Sequence, residues 1–292
     1  MFGRGYRLPS VCHLRLGLSL CAYGHPRVFR SRCKQFAERG CTVYATSRRL
    51  ETMEGFGHEI IRTMVMDVTK DDDVQTVVHK VLADEGKIDI VVNNAGAIAL
   101  GKSSPPSLPS TRSAHLRCLA CLKCHHQHRI ARWPLVSRLL RPSGHIQSYN
   151  LSPTPWIGMY CAAKAALNSI TEGLSMELKP FGINVMLVAT GRVKSNVTKN
   201  HASTFELSPN SMYKGYEERV IELLNVVASE DSMPTDEFAR QVVEKALCGA
   251  PPPYISLGTD ARKAAWLQWL PRQLVLGFSS KIMVWKTEKD TA

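Results

Sequence analysis

The amino-acid sequence predicts an α/β fold in which helices cover both faces of one parallel sheet. Three short runs rich in apolar residues, at residues 42–47, 60–68 and 88–96, are typical of strands buried on both faces, and the third stops at an Asn-Asn-Ala-Gly turn. Residues 71–87, between the second run and the third, place apolar side chains at helical spacing behind three aspartates. Strand, helix and strand in this order indicate a parallel sheet.

The second half of the chain continues the alternation. Further elements are predicted at residues 159–178 (helix), 183–188 (strand), 212–227 and 235–248 (helices). Because 292 residues suffice for one large core, we expect a single domain. In this prediction residues 1–200 form a doubly wound core, and residues 201–292 form a helical substrate-binding extension.

Two windows differ from the rest in composition. Residues 1–50 and 101–150 together contain 18 Lys or Arg but one acidic residue, and they hold seven of the nine cysteines. The other 192 residues have a net charge of −5, which is ordinary for a soluble enzyme. The positive charge is therefore local, and we predict no nucleic-acid partner. Residues 1–34 and 101–142 depart from the α/β pattern, which suggests shifted reading frames, misjudged splice sites or a decaying gene.

The sequence offers little support for a secreted protein, a membrane-spanning segment or a metal site. No apolar stretch reaches the roughly 18 to 20 residues of a spanning helix, and residues 16–22 lack a cleavage signal. Nine cysteines, an odd number, favour a reducing compartment. Cys118, Cys121 and Cys124 have no second ligand pair at zinc-site spacing. We therefore expect a cytoplasmic protein without a bound metal. Peripheral contact with the endoplasmic reticulum or with lipid droplets is the alternative.

The strongest candidate for catalysis is Tyr160 with Lys164, one turn apart on the predicted helix. A free tyrosine has a pKa of about 10, and a nearby ammonium lowers it. The pair could therefore transfer a proton at neutral pH. Chance placement on an amphipathic helix is the alternative.

The chain contains three motifs in sequence: Asp67 with Val68, Asn93-Asn94-Ala95-Gly96, and Tyr160-x-x-x-Lys164. In their order and separations, these motifs together resemble the short-chain dehydrogenase/reductase family. The resemblance implies a Rossmann-like fold, a nicotinamide cofactor, hydride transfer between that cofactor and a carbonyl, and a homo-oligomer. Tyr160 would protonate the substrate carbonyl, and Lys164 would tune Tyr160 and hold the nicotinamide ribose.

The resemblance assigns roles to further residues. Ser148, with Ser152 as an alternative, would polarise the carbonyl, and Asp67 would meet the adenine. Asn94 would line the cofactor cleft, while Val193 and Ser195 would contact the nicotinamide end. Alone, Asn94 could equally be a turn residue and Asp67 a cap at a strand end.

Cofactor choice and substrate are predicted from other residues. Arg48 and Arg49 follow the second strand, where a guanidinium suits a 2'-phosphate, so we expect NADP(H), with two solvated surface arginines as the alternative. Residues 48–53 and 210–213 resemble the 1-acyldihydroxyacetone-phosphate reductases, which implies a lipid-like ketone substrate, with a secondary-metabolite ketone as the alternative. Apolar residues between Trp266 and Phe278 could seat an acyl chain, lie at a membrane surface or pack into the core.

Two family features are missing from the chain. Residues 22–29 contain one glycine where the family has a glycine-rich turn for the pyrophosphate. No asparagine lies between Asn94 and Asn150, so the helix asparagine of the family's proton relay has no counterpart. A catalytically impaired pseudoenzyme of the same family is therefore the alternative to an active reductase.

Overall fold

The structure is a computed structural model. It describes residues 18–22, 26–93, 138–142, 155, 158–194, 214–227, 231–267 and 269–283.

A seven-stranded parallel sheet runs through the described chain, in the order β3-β2-β1-β4-β5-β6-β7. The strands are β1 (Leu18–Ala22), β2 (Val43–Ser47), β3 (Ile61–Val65), β4 (Ile90–Asn93), β5 (Arg138–Pro142), β6 (Asn184–Thr190) and β7 (Tyr254–Leu257). The strand order reverses between β1 and β4, as in doubly wound folds.

Helices connect and cover these strands. They are α1 (Pro26–Ala37), α2 (Asp71–Glu85), α3 (Gly158–Leu178), α4 (Glu217–Val227), α5 (Thr235–Leu247), α6 (Ala261–Leu267) and α7 (Arg272–Met283). Short 3-10 turns lie at Leu50–Met53, Lys179–Phe181 and Lys214–Tyr216. Within the described residues, no helix combines the length and apolar character needed to cross a bilayer.

Side chains of alternate residues on β2 show that both faces of the sheet are covered. Val43 and Ala45 join the main core, together with residues of α1 and α5. Tyr44 lies on the opposite face, packed with apolar residues of α2. On that face Val185 of β6 packs against Leu178 at the end of α3. Helices α1 and α5 therefore cover one face, and α2 and α3 cover the other.

The ends of α2 explain why the sequence predicted this helix well. Three aspartates occupy its first turn, where the helix dipole favours negative charge. Gly86 ends the helix with φ +72°, and its N–H donates to the Leu82 carbonyl. Apolar residues at helical spacing, Val74, Val77 and Val81, are buried.

The predicted α/β class is confirmed, and the structure corrects several elements. The strand predicted over residues 60–68 ends at Val65, so Asp67 lies in the loop beyond it. Three strands were not predicted: β1 and β5, which lie inside the aberrant windows 1–34 and 101–142, and β7, which lies in the region expected to be helical. Because β7 pairs with β6, residues beyond 200 complete the sheet.

Candidate functional site

The carboxyl ends of β1, β2 and β4 lie side by side. Ala22 pairs with Ser47, and Cys21 pairs with Asn93, so the loops after these strands emerge at one edge of the sheet. The strand order reverses between β1 and β4, and doubly wound folds bind ligands in the crevice at such a reversal. Arg48 and Asp67, two of the residues that the sequence predicts for the site, follow strands at this edge.

Arg48 and Asp67 are neighbours at this edge. Ser47, at the end of β2, accepts a hydrogen bond from the Met66 N–H at 2.9 Å, which brings the loop after β3 beside the loop after β2. Arg48 is exposed, and its positive charge acts on the Asp67 carboxyl. The predicted adenine-end residues are therefore adjacent.

Local hydrogen bonds hold the Asp67 carboxylate. Its Oδ1 accepts from the Thr69 N–H at 2.9 Å and from the Thr69 hydroxyl at 2.8 Å. Desolvation raises the pKa of Asp67, but these hydrogen bonds and the charges of Arg48 and Lys70 outweigh it and keep the pKa below its ordinary value. Asp67 is thus an ionised group that caps the loop after β3, and its contact with the adenine stays a prediction. Thr69, which was not predicted, could have been found from the Asp-x-Thr pattern.

The first turn of α1 explains how the helix tolerates bulky residues where the family has glycines. Val28 and Phe29 are each 1 % exposed, and the Phe29 ring packs edge-on against Phe56 with centroids 5.9 Å apart. Both side chains lie in the core. Burial also lowers the pKa of Arg32, one turn later, to about 10.

The same turn suits an anion. Pro26 occupies the first helical position, which needs no N–H, and the first turn contains no acidic residue. Arg27 is exposed there. The positive end of the helix dipole and the Arg27 charge favour a phosphate group at this place.

A buried polar group lies at the end of β4, where Asn93 pairs with Cys21 of β1. The Asn93 Nδ2 atom is buried and has no hydrogen-bond partner within the described part of the chain. A donor of this kind is costly unless a further group satisfies it. Asn93, Arg48 and the first turn of α1 therefore fit an anionic dinucleotide. The sequence indicates Asn93 only as part of the Asn93-Asn94-Ala95-Gly96 motif.

Tyr160 and Lys164 lie in the first two turns of α3, at positions i and i+4. Helix α3 connects two parallel strands, β5 and β6, so it begins at the carboxyl edge of the sheet. Its last residue, Leu178, packs against Val185 near the start of β6, as this direction requires. Lys164 is half-buried. The helix therefore brings the predicted catalytic pair to the same edge as Arg48.

The loop after β6 is tied to the C-terminal part of the chain. The Gly191 N–H donates to the Leu257 carbonyl at 2.6 Å, and Arg192 forms an ion pair with Asp260. The Lys194 N–H donates to the Met233 carbonyl at 2.9 Å. These contacts could not be predicted from the sequence, because nothing local signals a pairing between residues 68 positions apart.

Val193 has a different environment from the one that a cofactor contact suggests. Its side chain is completely buried in the main core. The main chain of Val193 is then the part that could meet a cofactor.

Other nominated positions lie outside the described residues. These are Ser148, Ser152, Asn94, Ser195 and the cysteines at 118, 121 and 124. Within the part of the chain that the structure describes, no three His, Cys, Asp or Glu side chains are grouped so as to hold a metal ion.

Comparisons with known proteins agree with this architecture. Residues 30–223 match the family model described as enoyl-(acyl carrier protein) reductase. An NADPH-dependent 1-acyldihydroxyacetone phosphate reductase of Saccharomyces cerevisiae is 29% identical over 240 residues, which cover 78% of this chain and 77% of that protein. A 3-ketodihydrosphingosine reductase of Bacteroides thetaiotaomicron is 26% identical over 203 residues, covering 68% and 71%.

Solved structures extend the agreement to the fold. The crystal structure of a short-chain dehydrogenase from Streptomyces avermitilis superposes with a TM-score of 0.68 at 20% identity, covering 92% of this chain and 97% of that one. The strand order, the crevice at its reversal, the Tyr-x-x-x-Lys pair on α3 and the match over residues 30–223 lead to one conclusion. The chain belongs to the short-chain dehydrogenase/reductase family.

Proposed function

We propose that this protein is an NADPH-dependent reductase that transfers a hydride to a ketone and forms a secondary alcohol. The observation that carries the proposal is the position of Tyr160 and Lys164. They occupy the first two turns of α3, at the sheet edge that also presents Arg48 and the first turn of α1. A proton donor, a cation and a site for an anionic dinucleotide therefore share one edge.

The charges at this edge favour NADPH over NADH. Arg48 is exposed directly after β2. A carboxylate at this place would bind a ribose 2'-hydroxyl, but positions 48 and 49 are both arginine. A guanidinium binds a 2'-phosphate through charge-assisted hydrogen bonds. The yeast relative is named as NADPH-dependent, which agrees with this choice.

The chain's own residues supply the proton chemistry. NADPH, when bound, provides a hydride for the carbonyl carbon and leaves as NADP⁺. The Tyr160 hydroxyl gives its proton to the carbonyl oxygen, so that an alcohol is released and a phenolate remains. The Lys164 ammonium stabilises that phenolate, which then takes a proton from solvent.

A lipid-like ketone is the substrate class that we propose. Two relatives are named for the reduction of ketones in lipids, 1-acyldihydroxyacetone phosphate and 3-ketodihydrosphingosine. Both compounds place a carbonyl near a polar end and carry a long alkyl or acyl chain. A substrate of this form would need an apolar surface beside the catalytic pair.

The test follows NADPH consumption with 1-acyldihydroxyacetone phosphate as substrate. Tyr160→Phe removes the proton donor, and we expect it to lower kcat by about a hundredfold or more. Tyr254→Phe is the matched control, because Tyr254 begins β7 at the opposite edge of the sheet. Equal activity of Tyr160→Phe and the parent protein would refute the assigned role.

A second candidate, a pseudoenzyme that retains the fold, is favoured by one observation. In the sequence, the segment between β1 and α1 has Gly24 as its one glycine, and bulky residues follow it. In that case the folded protein would oxidise no NADPH with any ketone tested. Tyr160→Phe would then change nothing, which separates the two proposals.

A further inference from the structure

The C-terminal part of the described chain exposes a group of large apolar side chains. Within the described residues, eleven large hydrophobic side chains are exposed, and six of them lie between positions 266 and 278: Trp266, Trp269, Leu270, Leu274, Leu276 and Phe278. Trp266 is 78% exposed and Trp269 is 87% exposed. Such a concentration of apolar side chains marks an interaction surface. We call it the C-terminal apolar surface.

The geometry of α7 separates this surface from the core. Val275 is buried, so one side of the helix is turned away from solvent. Leu274 and Phe278 are one turn apart and both exposed, and Lys281 follows on the same face, almost one further turn along. The outward face of α7 is therefore apolar and ends in a cation.

The two tryptophans precede this helix in a tight turn. The Trp269 N–H donates to the Trp266 carbonyl at 3.1 Å, and the Leu270 N–H donates to the Leu267 carbonyl at 3.3 Å. Helix α7 begins two residues after Leu270. The aromatic residues and the apolar face of α7 thus belong to one short, hydrogen-bonded stretch of chain.

The charge of this stretch has a single sign. Residues 261–283 contain four basic residues, Arg262, Lys263, Arg272 and Lys281, and no Asp or Glu. Lys263 forms an ion pair with Asp260 at 3.0 Å, so Arg272 and Lys281 are the cations that flank the apolar face of α7. A second copy of the chain would bring an equally positive surface against this one, which opposes self-association. A negatively charged partner with an apolar interior complements both properties.

We propose that the C-terminal apolar surface binds the surface of an anionic phospholipid bilayer. Tryptophans are favoured at the boundary between headgroups and acyl chains, where Leu and Phe enter the apolar layer. Lysine and arginine reach back to the headgroups and are attracted by anionic lipids. The protein would lie on the bilayer and not cross it.

This proposal does not depend on the proposed reductase activity. Vesicle binding is measured without NADPH or a ketone, so an inactive protein can still support it. Conversely, an active reductase that ignores vesicles would overturn the membrane proposal and leave the proposed function intact.

The experiment uses the full chain and co-sedimentation with vesicles of equimolar phosphatidylserine and phosphatidylcholine. We expect binding that weakens about tenfold or more in Trp266→Ala/Trp269→Ala, since two large apolar side chains are removed from the contact. Phe181→Ala, a large exposed residue at the far end of α3, is the matched control and should bind as the parent does. Circular dichroism verifies that each variant is folded.

A second pair of variants tests the charge. Arg272→Glu/Lys281→Glu should weaken binding to these vesicles, whereas Lys179→Glu should not, and vesicles of phosphatidylcholine alone should bind the parent weakly.

No binding by the folded parent would overturn the proposal. Equal binding by the tryptophan variant would also overturn it. So would a dimer that dissociates in this variant while vesicles are ignored, because the surface would then belong to a second copy.

Discussion

Gly191→Ala is the substitution whose effect the structure predicts most sharply. Gly191 follows β6, and its N–H donates to the Leu257 carbonyl of β7. A Cβ atom added there would lie 2.3 Å from the Thr259 carbonyl oxygen, about 0.7 Å inside the 3.0 Å limit of real Cβ contacts. The methyl group therefore needs a shift of main-chain atoms.

The neighbouring main chain cannot move without breaking hydrogen bonds. The Arg192 N–H donates to the Thr259 carbonyl at 3.0 Å, and the Thr259 N–H donates to the Arg192 carbonyl at 3.1 Å. Gly258 also lies against Gly191, since a Cβ atom added to Gly258 would lie 3.0 Å from main-chain atoms of Gly191. Overpacking costs about 1–3 kcal/mol where side chains can adjust. We therefore expect a loss of about 3 kcal/mol or more in the free energy of unfolding.

Urea denaturation followed by circular dichroism measures this loss, with Gly173→Ala as the control. Gly173 lies inside α3 with nothing within 4 Å of an added Cβ, so alanine there should stabilise the protein by about 0.5–1 kcal/mol. If Gly191→Ala unfolds within about 0.5 kcal/mol of the parent protein, the packing of β6 against the loop after β7 is described incorrectly.

Three further predictions concern the packing and ionisation of single side chains. Tyr44→Phe removes the hydroxyl that accepts from Arg62 at 2.5 Å, and urea denaturation should show a loss of about 1–2 kcal/mol; an unchanged midpoint would contradict the contact. Asp67 has a lowered pKa, so it stabilises the fold above the unfolded value of about 3.9 and loses this effect as the pH falls through the folded value. Asp67→Asn should therefore be less stable than the parent at pH 7, and the gap should shrink below about pH 4. Burial raises the pKa of the Cys33 thiol, and it raises the pKa of the Cys41 thiol to about 12. Alkylation of the native protein, resolved by peptide, should therefore leave both cysteines unmodified. Rapid labelling would mean that α1 is not packed.

Much of the fold could be predicted because its elements carry strong local signals. β2 is an uninterrupted buried run, and α2 combines an acidic first turn, buried valines and a C-terminal glycine. Each signal acts within the element itself, so one sequence is enough to find it.

Strands β5 and β7 were missed because their signals are weak. β5 contains Arg138, Arg141 and Pro142, which interrupt the apolar run that marks a strand buried on both faces. β7 has four residues, and its burial depends on pairing with β6. Only the sheet as a whole shows that these segments are strands.

The candidate site was predicted in part for the same reason. Arg48 and Asp67 each follow a strand, so their loops could be placed at one edge. The hydrogen bonds of Thr69 and the ion pair of Arg192 with Asp260 depend on the folded geometry. Likewise, the buried amide of Asn93 can be assigned to the candidate site only when the strand order is known.

Cofactor binding at this edge is tested most directly by titration with NADPH and NADH, following nicotinamide fluorescence. We predict NADPH binding with a Kd on the order of micromolar, weakened about tenfold or more by Arg48→Ala, with little effect on NADH. Arg39→Ala is the control, since Arg39 precedes β2 at the opposite edge of the sheet. A folded protein that binds neither nucleotide, or binds NADPH equally well after Arg48→Ala, would contradict the account.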